Sequence, residues 1–243
     1  YKMLEEANEL RETSFRILDK YKLVEIKYPI VVKSPFLFSG IGNIKINSDD
    51  EFKANKKKIL KWLDQGPIIA EEYVQREFDF GVSIDTDIKT EFNYYENIID
   101  KHFQYKGSYF NPTSKHCEFR DKIAIIKRHY ESLGIEGAWS IDGFKAVDGR
   151  VIFHEVNARK SMGWFFCRLN ELFNPLKKHS IFRLFNTKKI KNFNSLNEVQ
   201  ELFNKQEILL SPMGNKFLSV FLVGNSREGL DKRIKELEIH LFN

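Results

Sequence analysis

The chain has 243 residues, of which 42% are apolar, 30% charged and 14% aromatic. These proportions exclude a disordered or collagen-like polymer, and the length allows one large domain or two small ones. Lys and Arg outnumber Asp and Glu by 39 to 34, a net charge of +5 that favours anionic ligands such as phosphates without demanding nucleic acid.

No apolar run approaches the ~20 residues of a membrane span. Cys117 and Cys167 form no close motif, which points to a reducing compartment and predicts a cytoplasmic protein.

In chain order, residues 3–21 read as a helix, with Leu4, Ala7 and Leu10 on one face and Phe15 and Leu18 following. Residues 28–34 form a short apolar run that suggests a buried strand. A loop with Ser39-Gly40-Ile41-Gly42 follows, then a strand over 43–46. Asp49 or Asp50 can N-cap a helix carrying Phe52, Ile59, Leu60 and Leu63, and Gly66-Pro67 ends it. Residues 68–74 predict another strand. Residues 77–85 alternate, with Phe78, Phe80, Val82 and Ile84 on one face. A β-meander is expected over 88–110.

Phe119, Ile123, Ile126, Tyr130 and Leu133 keep helical spacing over 118–133, and Gly134 can supply the C-cap. The tail predicts a helix near 195–204, a strand at 217–223 and a last helix with Leu230, Ile234, Leu237 and Leu241.

The most informative segment is the hairpin expected over 137–159. Asp148-Gly149 between two apolar runs signals a two-residue turn that pairs Val147 with Arg150. That register sets Asp142 opposite Glu155, Ser140 opposite Asn157 and Ala138 opposite Arg159, all on one face. Trp139, Ile141, Ile152, Val156 and Ala158 then face a core, His154 takes a structural place, and Phe144 and Phe153 close the floor of the site. Carboxylates directly opposite each other have Cβ atoms ~4.5–5.5 Å apart and repel. An offsetting partner is needed: a raised pKa, a basic side chain or a divalent cation. Two carboxylates with the amide oxygen of Asn157 are hard oxygen ligands that suit Mg²⁺. A solvated polar hairpin with Arg159 as the partner is the plain alternative.

Asp142, followed after the hairpin by Glu155-Val156-Asn157-Ala158-Arg159, resembles the metal-binding core of the ATP-grasp superfamily. The Asn-x-Arg spacing is similar to its biotin-carboxylase-like and carbamoyl-phosphate-synthase-like members. Upstream, Tyr28-Pro29-Ile30-Val31-Val32-Lys33 resembles the family's phosphate-contacting lysine strand, and Ser39, Gly40 and Gly42 its glycine-rich loop. Ile68-Ile69-Ala70-Glu71-Glu72-Tyr73-Val74 is similar to its adenine-binding hinge, with Glu77 as the ribose candidate. By position in its helix, Arg11 is the candidate for an earlier phosphate contact. It lies 22 residues before Lys33, closer than is usual in the family, and the family's strand is missing between Leu23 and Tyr28.

The resemblance implies an α+β ATP-grasp fold of two antiparallel-sheet lobes sandwiching ATP, with a small C-terminal α/β appendage. It divides the chain into residues 1–23 (an incomplete N-terminal part), 24–74 (small lobe), 75–175 (large lobe) and 176–243 (appendage). The N-terminal α/β domain that the family carries upstream is not in the sequence. The implied activity is a carboxylate–amine ligase using ATP and Mg²⁺ or Mn²⁺ through an acyl phosphate. Asp142, Glu155 and Asn157 would hold the metal, and Lys33 and Arg159 would be catalytic. Lys160 and Trp164 could line the substrate pocket. The expected partners are small carboxylates and amines (a thiol in place of the amine is an open variant), with no nucleic acid or membrane, and a homodimer is the candidate assembly. A degenerate nucleotide-binding module, acting as sensor or scaffold, is the alternative. Lys56-Lys57-Lys58 and Lys61 read as a solvated helix face, His116-Cys117 has no partner at metal spacing, and Ser161 is not in a nucleophile elbow.

Overall fold

A computed structural model describes residues 15–18, 27–34, 42–85, 92–113, 119–190, 208–213 and 216–242. They form an α+β architecture with a four-stranded and an eight-stranded sheet.

The first sheet contains β1 (Phe15–Leu18), β2 (Ile30–Lys33), β3 (Asn43–Ile46) and β4 (Ile68–Glu72), in the order β1-β4-β2-β3. Its partners are all antiparallel, with Lys33 facing Asn43 on one side and Ile69 on the other. Helix α1 (Asp49–Leu63) covers one face. Ile59, Trp62 and Leu63 pack there on Ile30, Val32, Ile46, Ile68 and Ala70. Leu60, expected on the apolar side, is 39% exposed. The N-cap is Ser48, one residue before the expected aspartates. Its extended backbone lets the hydroxyl accept the Glu51 N–H at 3.3 Å, and the Glu51 carboxylate in turn accepts the Asn47 N–H at 2.8 Å.

Phe15–Leu18 corrects the expected helix over 3–21, the rest of which lies outside the described residues. The apolar spacing suits a helix, but β4 has an edge left open by β2. Pairing with it satisfies backbone groups that a helix would have met internally. The helix expected near 195–204 also lies outside the described residues.

The second sheet contains β5 (Arg76–Asp85), β6 (Asn93–Ile99), β7 (Tyr105–Phe110), β8 (Ala138–Ala146), β9 (Val151–Asn157), β10 (His179–Asn186), β11 (Ile208–Met213) and β12 (Phe217–Gly224). The order is β11-β12-β10-β7-β6-β5-β8-β9. Residues 176–243, expected as an appendage, thus continue this sheet, because β10 pairs with β7. Helices α2 (Arg120–Ser132), α3 (Met162–Phe173) and α4 (Arg227–Phe242) complete the described set. Alternate residues of β10 and β12 bury against different helices. Ile181, Val220 and Leu222 meet α4 through Leu230, Ile234, Leu237 and Leu241. Phe182, Phe221 and Val223 meet α3 through Phe166, Cys167 and Leu169. Burial on both faces explains the continuous apolar run Val220–Val223 of β12.

The chain divides into two compact units. One comprises residues 1–78, 99–105 and 144–153, and the other 79–98, 106–143 and 154–243. The tip of the β8–β9 hairpin therefore belongs to the first unit and its base to the second. The lobe boundary expected after residue 74 does not follow a single point in the chain. No helix among the described residues is long and apolar enough to cross a membrane.

Candidate functional site

In the first unit, Lys33 ends β2 with its ammonium 2.5 Å from the Glu71 carboxylate on the neighbouring β4. Burial pushes the Glu71 carboxyl up to about 8. The Arg76 charge opposes the shift, and the Lys33 ammonium acts in the same direction as Arg76. Arg76 lies over the rings of Phe144 and Phe103, 4.4 and 4.9 Å from their centroids. Of the remaining hinge residues, Glu72 is exposed and 3.8 Å from Arg150. Tyr73 carries Lys45 over its ring at 3.7 Å, and Val74 is buried with Phe144, Ala146 and Ile152. Glu77 is exposed on β5. Gly42 closes the base of the glycine-rich loop, its carbonyl accepting the Ser34 N–H at 2.9 Å. Arg11, Ser39 and Gly40 lie outside the described residues.

The β8–β9 turn differs from expectation. The Gly149 N–H donates to Ala146 O at 2.9 Å, and the Ala146 N–H donates to Arg150 O at 2.8 Å. The loop is therefore Val147-Asp148-Gly149, and Ala146, not Val147, faces Arg150. A two-residue type I′ turn would need positive φ at both Asp148 and Gly149. The longer loop needs it only at Gly149, where φ is +89°. Asp148 completes the turn by accepting the Arg150 backbone N–H at 3.1 Å and its guanidinium at 2.9 Å. Phe144 accordingly clusters with Val74, Ala146 and Ile152.

Farther from the turn, in the second unit, the contacts change parity. Asp142 meets Asn157, whose Nδ2 donates to Asp142 Oδ2 at 2.9 Å, and the Glu155 charge acts on Asp142. Such a change between Ile152 and Asn157 is what one extra residue in β9 produces. Asp142, Glu155 and Asn157 thus come together although the turn that was to align them has a different register. Burial first, and then Glu155, push the Asp142 carboxyl up to about 7. Asn157 Oδ1 accepts from Arg159 Nη2 at 3.2 Å.

The opposite side of β8 is packed as expected at Trp139 and Ile141, both fully buried, with Trp139 stacked on Tyr130 at 5.4 Å. Lys160 lies 4.6 Å over the Trp164 ring, and the Trp164 indole N–H donates to Asp85 at 2.9 Å.

Asn97 on β6 was not expected at the site. Its Nδ2 donates to Asp142 Oδ1 at 3.0 Å. Across the ladder it faces Asp79 on β5, a buried residue whose charge also raises Asp142. Asn97, Asp79, Asp142 and Glu155 with Asn157 therefore form a polar row over four adjacent strands, β6-β5-β8-β9. No signal in chain order marks Asn97, because the row exists only once the strands are ordered. The donor set fits a hard divalent cation. It supplies two carboxylates and an amide oxygen, and the like charges around Asp142 are what such an ion offsets. No cluster of three His, Cys, Asp or Glu arranged for a metal occurs among the described residues, so the amide of Asn157 is needed to complete the set.

The family model described as D-ala D-ala ligase C-terminus matches residues 1–164. No curated protein matches the chain by sequence. Among solved structures, it is similar to an N5-carboxyaminoimidazole ribonucleotide synthetase complexed with ADP. The TM-score is 0.73 and the identity 18%, over 98% of this chain and 69% of that one. The Staphylococcus aureus N5-carboxyaminoimidazole synthetase, complexed with ADP, matches with TM-score 0.72 and 11% identity, over 97% and 69% of the two chains. An L-amino acid ligase from Bacillus licheniformis matches with TM-score 0.65 and 16% identity, over 98% and 69%.

Proposed function

The chain belongs to the D-ala D-ala ligase C-terminal family, an ATP-grasp family of ATP-dependent carboxylate–amine ligases, and from that premise we propose that it joins a small carboxylate to an amine at the expense of ATP. One observation carries the proposal: Asp142 and Glu155 hold like charge together beside Asn157, an arrangement that costs stability unless a ligand uses it.

Asp142, Glu155 and Asn157 would hold Mg²⁺ or Mn²⁺, which when bound neutralises phosphate charge. In the first unit, Lys33 contributes a point charge to the phosphates, exchanging its Glu71 partner for a phosphate oxygen. Backbone groups at Glu72, Tyr73 and Val74 bind the adenine edge, and Glu71 and Glu77 serve the nucleoside. Ser39, Gly40 and Gly42 bring backbone N–H groups to the phosphates, with Arg11 as a further contact. In the second unit, Arg159 steadies the substrate carboxylate and Lys160 stands beside it.

The carboxylate oxygen attacks the γ-phosphorus while the bond to ADP breaks, giving an acyl phosphate. The amine nitrogen then attacks the acyl carbon, the C–N bond forms, phosphate leaves and the amine loses a proton. The residues contribute positioning and charge stabilisation rather than covalent chemistry.

The test is ADP release by the full chain with MgATP and a panel of carboxylates and amines, with products read by mass spectrometry. Release that requires both a carboxylate and an amine is the expected outcome. Nucleotide binding without turnover on any pair would favour the degenerate module, and no nucleotide binding would sink both readings.

A further inference from the structure

We infer that Asn97 is a positioning residue that aims the Asp142 carboxylate at the metal; the inference rests on the proposed role of Asp142, Glu155 and Asn157. Asp142 sits between two like charges, Asp79 on one side and Glu155 on the other. Left alone, its carboxylate would turn away from them. Instead each of its oxygens accepts one amide N–H, from Asn97 at 3.0 Å and from Asn157 at 2.9 Å.

The two amides are not equivalent. Asn157 is itself in the donor set, and its Oδ1 is already engaged by Arg159 at 3.2 Å. Asn97 lies outside the set, on β6, and is held by its ladder position opposite Asp79. Its residue type also matters. An Arg or Lys at this place would cancel the charge that attracts the cation, and an Asp would add repulsion. A neutral donor orients the carboxylate and leaves its charge available. Partners of this kind fix ligand orientation, and their loss typically weakens metal affinity ~10–100-fold.

The experiment measures the Kd of Mn²⁺ for the full chain with saturating ADP, from the electron paramagnetic resonance signal of free Mn²⁺. Asn97→Ala and Asn97→Thr are compared with wild type, the threonine variant being a strand former whose hydroxyl is too short to replace the amide. Both variants are expected to bind Mn²⁺ ~10–100-fold more weakly. ADP affinity in EDTA should stay at the wild-type value, which a general loss of structure would not allow. Asn93→Ala, on the same strand but bonded to Glu171 at 3.4 Å, should keep the wild-type Mn²⁺ Kd. A wild-type Kd in either folded Asn97 variant overturns the inference and leaves the site intact. A wild-type protein that binds ADP but no Mn²⁺ overturns the site and the inference with it.

Discussion

The two units handle carboxyls of raised pKa in opposite ways. In the first, Glu71 is pushed up to about 8, yet Lys33 stands 2.5 Å away and Arg76 acts on it as well. In the second, Asp142 is pushed up to about 7, and its direct partners are the neutral amides of Asn97 and Asn157 while Glu155 and Asp79 repel it. The first arrangement contains its own cation. The second keeps negative charge in place for a cation from solution. On the proposed function, the difference tells which charge each unit would supply.

The sharpest way to break this contrast is to remove the second unit's charge. Glu155→Ala and Asp142→Asn should each lower ADP-releasing turnover ~1,000-fold, about 4 kcal/mol of transition-state stabilisation. Circular dichroism should show the fold retained, and near-normal turnover in either variant would refute the metal assignment. Lys33→Ala in the first unit should cost ~100-fold in kcat/KM for ATP, as the loss of one aimed charge does.

Packing offers a middle-sized test. A Cβ on either Gly81 or Gly163 would overlap the Tyr95 ring. Gly163→Ala should therefore lower stability by ~1–3 kcal/mol in a urea melt, whereas a tolerated alanine would mean the ring is not held there.

Asp142→Asn should, in EDTA at pH 8, raise the melting temperature by ~2–4 °C per kcal/mol of relieved repulsion. No rise would show that the row is already compensated.

A pH test addresses the first unit. Because the folded Glu71 carboxyl titrates near 8, above its ordinary 4.5, its contribution is full below about 4.5 and is lost as pH rises through 8. The wild-type melting temperature should fall across that window more steeply than that of Glu71→Gln. Parallel curves would show that Lys33 keeps Glu71 ionised throughout, which would widen the contrast between the units.

Legibility differed between the units as well. The amphipathic Arg120–Ser132 was readable because periodicity reports burial directly, whereas the alternation of Phe80, Val82 and Ile84 gave no sign that Asp79 and Ser83 between them are buried too. Phe15–Leu18 was not, because a spacing that fits a helix carries no information about an open strand edge elsewhere. The turn at Gly149 was located correctly but lengthened by one residue, since the two-residue form would have needed positive φ at Asp148 too. The place of residues 176–243 was also hidden, because the β10–β7 pairing joins segments far apart in the chain.

By itself, the sequence determined the residue types on which the proposed phosphate and metal chemistry rests: a strand-borne lysine, a glycine-rich segment, two carboxylates and an asparagine. Chemistry restricts those types so narrowly that order and spacing along the chain are enough to propose them. The tertiary structure alone decided which neighbours complete them. Glu71 meets Lys33 because β4 pairs with β2, and Asn97 reaches Asp142 because β5 lies between β6 and β8. Strand order is set by the packing of whole faces, a sum over many weak contacts that no local stretch of residues encodes.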